Sequence, residues 1–130
     1  MTRATRQYSD LDAAFGINPR TKDVAAKYDD NAVRGALRNL IHTRHYDRPF
    51  QPNIGCQLHT MLFEQLDVFA TSLMEQAIRD TITKFEPRVE LINITVSGVP
   101  DSNEVNIEVV YKLRNTTTPS IFTTTFTRVR

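Results

Sequence analysis

The residues of this chain that could carry metal or thiol chemistry form two short spacings. Cys56 and His59 make a Cys-x-x-His pair, and His42 and His45 lie three positions apart near the end of a helical pattern. A closed zinc site needs four ligands, usually with several cysteines, whereas the chain has one cysteine and three histidines. No glycine-rich or helix-start context marks Cys56 as an activated nucleophile. We therefore expect no metal and no cofactor, and we interpret Cys56 as a small buried thiol.

Three carboxylates could be proposed as the paired acids of a glycoside hydrolase: Glu64, Asp67 and Glu75. Asp67 is better explained as a helix N-cap, and the two glutamates are typical of solvated helix positions. The four glycines are scattered, so no phosphate-cradling loop is present. We expect no catalytic residues and a chain that is not an enzyme.

A further candidate is the segment Glu86-Pro87-Arg88, where a helical pattern changes to strand alternation. Pro87 disfavours helical geometry at Glu86 and has no backbone N–H, so the helix should end here. The turn then holds a carboxylate and a guanidinium close together. Such a pair can brace the junction or bind a partner, and the sequence leaves both roles open.

Composition limits the classes of partner. The 130 residues fit a single domain, with 40% hydrophobic residues and a formal charge of +1, which offers no global field for nucleic acid or an anionic membrane. Tyr111, Phe122 and Phe126 alternate as core residues would, which argues against a base-stacking surface. The single cysteine is consistent with a reducing cytoplasm, and no secretion signal or stretch of eighteen apolar residues is present. We expect no nucleic acid and no membrane partner.

The first two thirds of the chain are predicted to be helical after an arm. Residues 1–28 are expected to be a mostly irregular docking arm, with a short extended stretch at 23–28. Asp29, Asp30 and Asn31 should cap a helix over residues 31–43, and a second helix is expected around 57–64. Asp67 should cap a third helix, whose continuous apolar stripe is expected to be internal core: Phe69, Leu73, Ala77, Ile78, Ile82 and Phe85.

The last third changes to the period of two that strands show. Strands are predicted around residues 91–96, 105–113 and 121–129, joined by turns at 98–103 and 115–119. The fold class is therefore α+β, with N-terminal helices packed on a C-terminal three-stranded antiparallel meander. We expect one domain over residues 1–130, divided into the arm (1–28), a helical part (29–86) and the sheet (87–130).

The final strand is expected to lie at an edge of the sheet. Threonine supplies most of its residues besides Phe122 and Phe126, and no proline interrupts residues 120–130. Such an edge is either solvated or accepts a strand from a partner.

Five short motifs, in this order, resemble a known family. They are Tyr8-Ser9-Asp10-Leu11-Asp12, Arg48-Pro49-Phe50, Gly55-Cys56-x-Leu58, Leu62-Phe63-Glu64 and Phe85-Glu86-Pro87-Arg88. The chain is similar over nearly its whole length to the small baseplate wedge protein of contractile phage tails, the sheath initiator, and most to the version in T-even-like myophages. A related subunit occurs in type VI secretion baseplates.

The resemblance implies a structural protein that is made in the host cytoplasm and placed in the tail baseplate of the virion. Its implied partners are the helical core bundle of other baseplate wedge proteins and the tail sheath subunit, which polymerises by strand augmentation. Relatives have been called lysozyme-like, so a tail-associated peptidoglycan hydrolase is the alternative, and a free-standing cytoplasmic binding module is a third. The partner-binding residues are expected to be Glu86, Pro87, Arg88, Ile121, Phe122, Thr123, Thr124, Thr125, Phe126 and Arg128.

Overall fold

The structure, a computed structural model, describes residues 6–63, 65–99 and 101–127. The elements in chain order are β1 (Ser9–Leu11), β2 (Ala26–Tyr28), α1 (Asp29–His42), α2 (Leu58–Met61), α3 (Val68–Phe85), β3 (Val89–Val99), β4 (Glu104–Leu113) and β5 (Pro119–Thr127). Helices precede a C-terminal antiparallel sheet of order β3-β4-β5, which confirms the predicted fold class. Within the described ranges, no helix is long and apolar enough to cross a membrane.

One face of the sheet packs against α1 and α3 and forms the core. Every second residue of β4 from Val105 to Leu113 is buried, and on β5 the buried residues are Phe122 and Phe126. Alternation of this kind is typical of a sheet with one solvated face. The predicted role of these two phenylalanines and Tyr111 as core residues is confirmed.

Helix α3 begins as predicted, because the Asp67 Oδ1 atom accepts a 2.7 Å hydrogen bond from the Ala70 N–H. The prediction that its whole apolar stripe is core is wrong at the amino-terminal end. Phe69 is 71% exposed and Leu73 is 41% exposed, whereas their neighbours Ala70 and Met74 are buried. The buried line of α3 then continues at four-residue spacing through Ile78 and Ile82, which were predicted to be core.

A β-bulge in β3 leaves Ile92 at the surface. The register with β4 shifts between Leu91 and Asn93, so Ile92 has no partner of its own and is 51% exposed. Leu91 packs against the core instead.

The first thirty residues add a hairpin that was not expected. Most of residues 6–28 are irregular, as predicted, but β1 pairs antiparallel with β2 and Ile17 bridges to Val24, so the two ends of this segment form a hairpin. The extended stretch expected at 23–28 is present as β2. Helix α1 starts at Asp29, and its N-cap residue Tyr28 makes no side-chain cap. The two aspartates bind segments outside α1, and Asp30 also pairs with Arg34 within the helix.

Candidate functional site

The junction, which consists of Glu86, Pro87 and Arg88, forms where α3 passes into β3. Arg88 donates to Glu86 in bidentate fashion, from Nε to Oε1 at 2.7 Å and from Nη2 to Oε2 at 3.0 Å. It also donates to Asp10 of β1, from Nη1 and Nη2 at 3.2 Å each. The guanidinium therefore joins the end of the helical part to the hairpin. Planar, forked donors suit this double carboxylate arrangement.

Burial strengthens these ion pairs unequally. The Glu86 side chain is 8% exposed, that of Arg88 is 23% exposed, and that of Asp10 is 38% exposed. The hydrogen bond to Glu86 raises the pKa of Arg88 more than burial lowers it, and Asp10 raises the pKa further. Bonds within the chain favour a bracing role for Arg88. Contact of the junction with a partner protein stays a prediction.

Asp29 is the second tether of the hairpin. Its Oδ1 atom accepts hydrogen bonds from the backbone N–H groups of Gln7 at 2.8 Å and Tyr8 at 3.1 Å. Its neighbour Asp30 accepts from the Tyr111 hydroxyl at 2.8 Å and from Arg34 at 2.8 Å. Burial acts to raise the pKa of Asp30, but the hydrogen bonds from Tyr111 and Arg34 lower it overall. The acids expected to cap α1 instead hold the hairpin and the sheet against it.

A groove of about 680 Å³ lies beside the junction. The hairpin contributes Asp10, Leu11 and Asp12 to its lining, and α1 contributes a face of small residues at helical spacing that includes Ala32 and Ala36. Of the three junction residues, Glu86 lines the groove as well. A Cβ added at Gly35, another lining residue, would meet nothing within 4 Å, so the groove is open at this point. The remaining lining residues are Ala13, Ala14, Lys27, Arg38, Asn39, Leu40, Thr43, Arg48, Ile54 and Phe85.

The loop between α1 and α2 holds two aromatic residues in left-handed backbone conformations. Tyr46 has a φ of 70° and is 83% exposed, and Phe50 has a φ of 66° and is 103% exposed. Large aromatic residues rarely adopt such angles without support from their surroundings. Arg48, which lies between them in the sequence, lines the groove. The loop therefore displays apolar surface next to the groove.

The outer edge of β5 is open, since the sheet order is β3-β4-β5 and none of the described strands lies beyond β5. Successive residues of a strand direct their backbone groups to opposite sides, and one bond in β3 fixes which residues face out. The Val96 N–H donates to a side chain of α3, away from β4. By alternation through the register, Ile121, Thr123 and Thr125 then direct their N–H and C=O groups to the open side of β5. Pro119 has the same orientation, where its lack of an N–H costs no sheet hydrogen bond.

The other expected partner residues of β5 face the core. Phe122 and Phe126 are buried, and the Thr124 hydroxyl lies 3.0 Å from Nε2 of His42. The His42 ring stacks on Phe126 at a centroid distance of 4.3 Å, and burial, followed by the charges of Arg38 and His59, lowers the pKa of His42. These inward residues position the edge. Arg128 lies outside the described residues.

The opposite edge of the sheet, along β3, is obstructed in two places. Oε1 of Glu75 accepts the hydrogen bond from the Val96 N–H at 3.2 Å. The Ile92 bulge interrupts the ladder on one side of that bond. Leu66 packs on the core face of the same strand, where a Cβ at Gly98 would lie 2.8 Å from its Cδ1 atom. The two edges of the sheet are therefore unequal.

The side chains considered for catalysis have structural contacts. Cys56 is 1% exposed, and burial raises the pKa of its thiol, as expected of an inert buried cysteine. Asp67 caps α3 and Glu75 binds β3, while Glu64 lies outside the described residues. No cluster that could hold a metal ion occurs among the residues that the structure describes.

The sequence analysis did not predict the contact of Asp10 with Arg88 or that of Glu75 with Val96. Asp10 belongs to one of the resemblance motifs, but its partner Arg88 is 78 positions away. Glu75 was interpreted as a solvated helix position, and a side chain that caps a distant strand leaves no local pattern. Neither contact could have been inferred from spacing.

Known proteins are similar to this chain in sequence and in fold. The family model "Baseplate wedge protein gp25" matches residues 27–118. The baseplate wedge protein gp25 of Enterobacteria phage T4 is 27% identical over 113 residues, which cover 87% of this chain and 85% of that protein.

Three solved structures share the fold. A Geobacter sulfurreducens protein, provisionally named a tail lysozyme, has a TM-score of 0.69 at 23% identity and covers 75% of this chain and 89% of its own. A chain of the anti-feeding prophage baseplate has a TM-score of 0.66 at 17% identity, with 95% and 87% covered. A chain of the type VI secretion baseplate complex has a TM-score of 0.64 at 15% identity, with 73% and 89% covered.

The match over residues 27–118 contains four of the five motifs and confirms the family resemblance. The chain belongs to the gp25 family of baseplate wedge proteins and is a structural component of the contractile-tail baseplate of a virion.

Proposed function

We propose that this baseplate protein templates sheath polymerisation by accepting a strand of the tail sheath subunit at the open edge of β5. The observation that carries the proposal is the difference between the edges of the sheet. The outward backbone groups of Ile121, Thr123 and Thr125 meet no other described strand, whereas Glu75 and the Ile92 bulge obstruct the edge at β3. An added strand would gain main-chain hydrogen bonds along β5.

The inward residues of β5 give this edge the rigidity that a template needs. Phe122 and Phe126 fix the strand to the core, and His42 ties its middle to α1 through Thr124. A strand held in one conformation loses little entropy when a partner pairs with it. The inward residues thus serve the partner indirectly, while Ile121, Thr123 and Thr125 would contact it. Arg128 is also proposed to contact the partner strand.

The second part of the proposal is that the groove receives a helix of the wedge core bundle. Small residues of α1 allow close approach of another helix, and exposed apolar side chains such as Leu11 and Phe50 lie on segments that border the groove. Glu86, Pro87 and Arg88 would form one wall of the contact. Arg88 would act there by holding the hairpin in place, since four of its donors already bind Glu86 and Asp10.

Replacing Thr123 tests the edge. Thr123→Pro removes an outward N–H and adds a ring where a partner would pair, and proline is tolerated at such an edge position. Thr123→Val is the matched control, because it keeps the N–H and nearly the same shape. We expect both variants to enter baseplates, and only the proline variant to fail to start sheath, as seen by electron microscopy of baseplates mixed with sheath subunit. Normal sheath growth on the proline variant would refute the proposal.

Replacing Gly35 tests the groove. Gly35→Leu would fill open space without a clash, so the free protein should stay folded but lose its place in the wedge. Gly35→Ala is the control, and it should raise the free energy of unfolding by about 0.5–1 kcal/mol while leaving most of the groove open. Unfolding and pull-down with wedge proteins measure the two effects. If the leucine variant were still fully incorporated into wedges, the groove would be excluded as the binding site for a helix of the core bundle.

A peptidoglycan hydrolase is the alternative, supported by the name of the Geobacter sulfurreducens protein of similar fold. The contacts of two candidate acids speak against it. Asp67 is bound to the Ala70 N–H and Glu75 to the Val96 N–H, so neither carboxylate is placed to act on a sugar. We propose that the chain is not an enzyme. Peptidoglycan digestion by the purified protein, abolished in Glu75→Gln, would favour the alternative.

A further inference from the structure

We propose that Glu75 closes the β3 edge against a second copy of this chain, so that the sheet can be extended on one side only. This inference rests on the proposed role of β5 as an acceptor edge. It assigns to Glu75 the task of keeping that edge available for a different partner.

The need for such a closure follows from the topology of the sheet. The strands alternate in direction along the order β3-β4-β5, so β3 and β5 run the same way. A second copy displaced sideways would bring its β3 against the open edge of β5. This contact joins two different surfaces, so it would repeat without closing and would build an open chain of copies. A protein with two open edges would therefore consume its own template.

Glu75 occupies the position that such a partner would need. Its Oε1 atom lies 3.2 Å from the Val96 nitrogen and takes the place of the carbonyl oxygen of an added strand. The Ile92 bulge obstructs the edge four residues earlier, so Val96 lies in the stretch of β3 that remains regular. Inward charge and bulges are recognised means of protecting sheet edges.

The difference between the two edges can be measured on the unaltered protein. Amide hydrogen exchange should be slower at Val96 than at Thr123 by at least about tenfold, because one outward N–H is bonded and the other is open to water. Equal exchange at the two amides would overturn the proposal without the need for any variant.

Self-association of Glu75 variants is the second test. We expect Glu75→Ala to lower the dissociation constant for self-association at least about tenfold in sedimentation experiments, because the Val96 N–H becomes free to pair. Glu75→Gln keeps an acceptor and should behave as the unaltered protein does. Asp80→Ala, on the same helix, makes the same charge change away from β3 and should have no effect.

A double variant identifies the surface that associates. Adding Thr123→Pro to Glu75→Ala should restore the dissociation constant for self-association to that of the unaltered protein, since the β5 edge of the neighbouring copy is then blocked. Association that survives the proline would overturn the proposal, as would a Glu75→Ala protein that sediments like the original. Either outcome leaves the role of β5 in sheath templating intact. That role fails separately, if Thr123→Pro alone starts sheath normally.

Discussion

Removing the guanidinium of Arg88 should destabilise the free protein by about 3 kcal/mol. The contact with Asp10, whose side chain is 38% exposed, resembles a surface ion pair and contributes about 0.5–1 kcal/mol. Glu86 is different, because its side chain is 8% exposed and would lose its bidentate partner. A charge left buried without its partner costs about 3–5 kcal/mol, and the partial exposure of the site reduces this to about 2–3 kcal/mol.

Urea unfolding of Arg88→Ala, followed by circular dichroism, measures this loss, and the Tm should fall by about 10 °C. Asp10→Asn should lose at most about 1 kcal/mol, since it removes the exposed contact alone. The double variant Glu86→Ala/Arg88→Ala should be more stable than the sum of the single changes predicts by about 2 kcal/mol, because it leaves no orphaned carboxylate. A loss of less than about 1 kcal/mol in Arg88→Ala would refute the bracing argument.

Three further predictions concern other contacts of the fold. Burial and nearby positive charge hold the pKa of His42 below its ordinary value of 6.5, so the unfolded chain binds a proton at this residue more readily than the folded protein does. The free energy of unfolding should therefore decrease as the pH is lowered from 7 to 5, and it should decrease less steeply in His42→Gln. Asp67→Ala removes the acceptor of the Ala70 N–H and should cost about 1 kcal/mol in urea unfolding, whereas Asp67→Asn should cost much less. Gly55→Ala should cost more than about 2 kcal/mol, because Gly55 has a φ of 120° and an added Cβ would clash with the Thr43 carbonyl oxygen; a Tm unchanged from that of the original protein would contradict the backbone geometry.

The parts of the fold that the sequence predicted are those set by local patterns. Asp67 precedes an apolar helical period and caps the helix as expected, and strict alternation identified β4 and β5. The edge position of β5 also followed from the order of three strands joined by short turns. In each case the residues that decide the structure are close together in the chain.

The parts that were missed depend on contacts between distant segments. Nothing near Ile92 marks a bulge, because no glycine or proline adjoins it. The strands of the hairpin have three residues each and depend on Asp29 and Arg88 for their place. The acids before α1 matched a capping pattern, yet Asp30 binds Tyr111, which is 81 positions away. Spacing along the chain carries no information on such pairs.

The link between Arg88 and Asp10 also has a consequence for how the chain folds during synthesis. The hairpin leaves the ribosome before its ionic anchor, which is 78 residues behind it. Two three-residue strands are too short to hold together alone in water. The hairpin, with the wall that it gives to the groove, should therefore become ordered only after translation has passed Arg88 and β3 has begun to form.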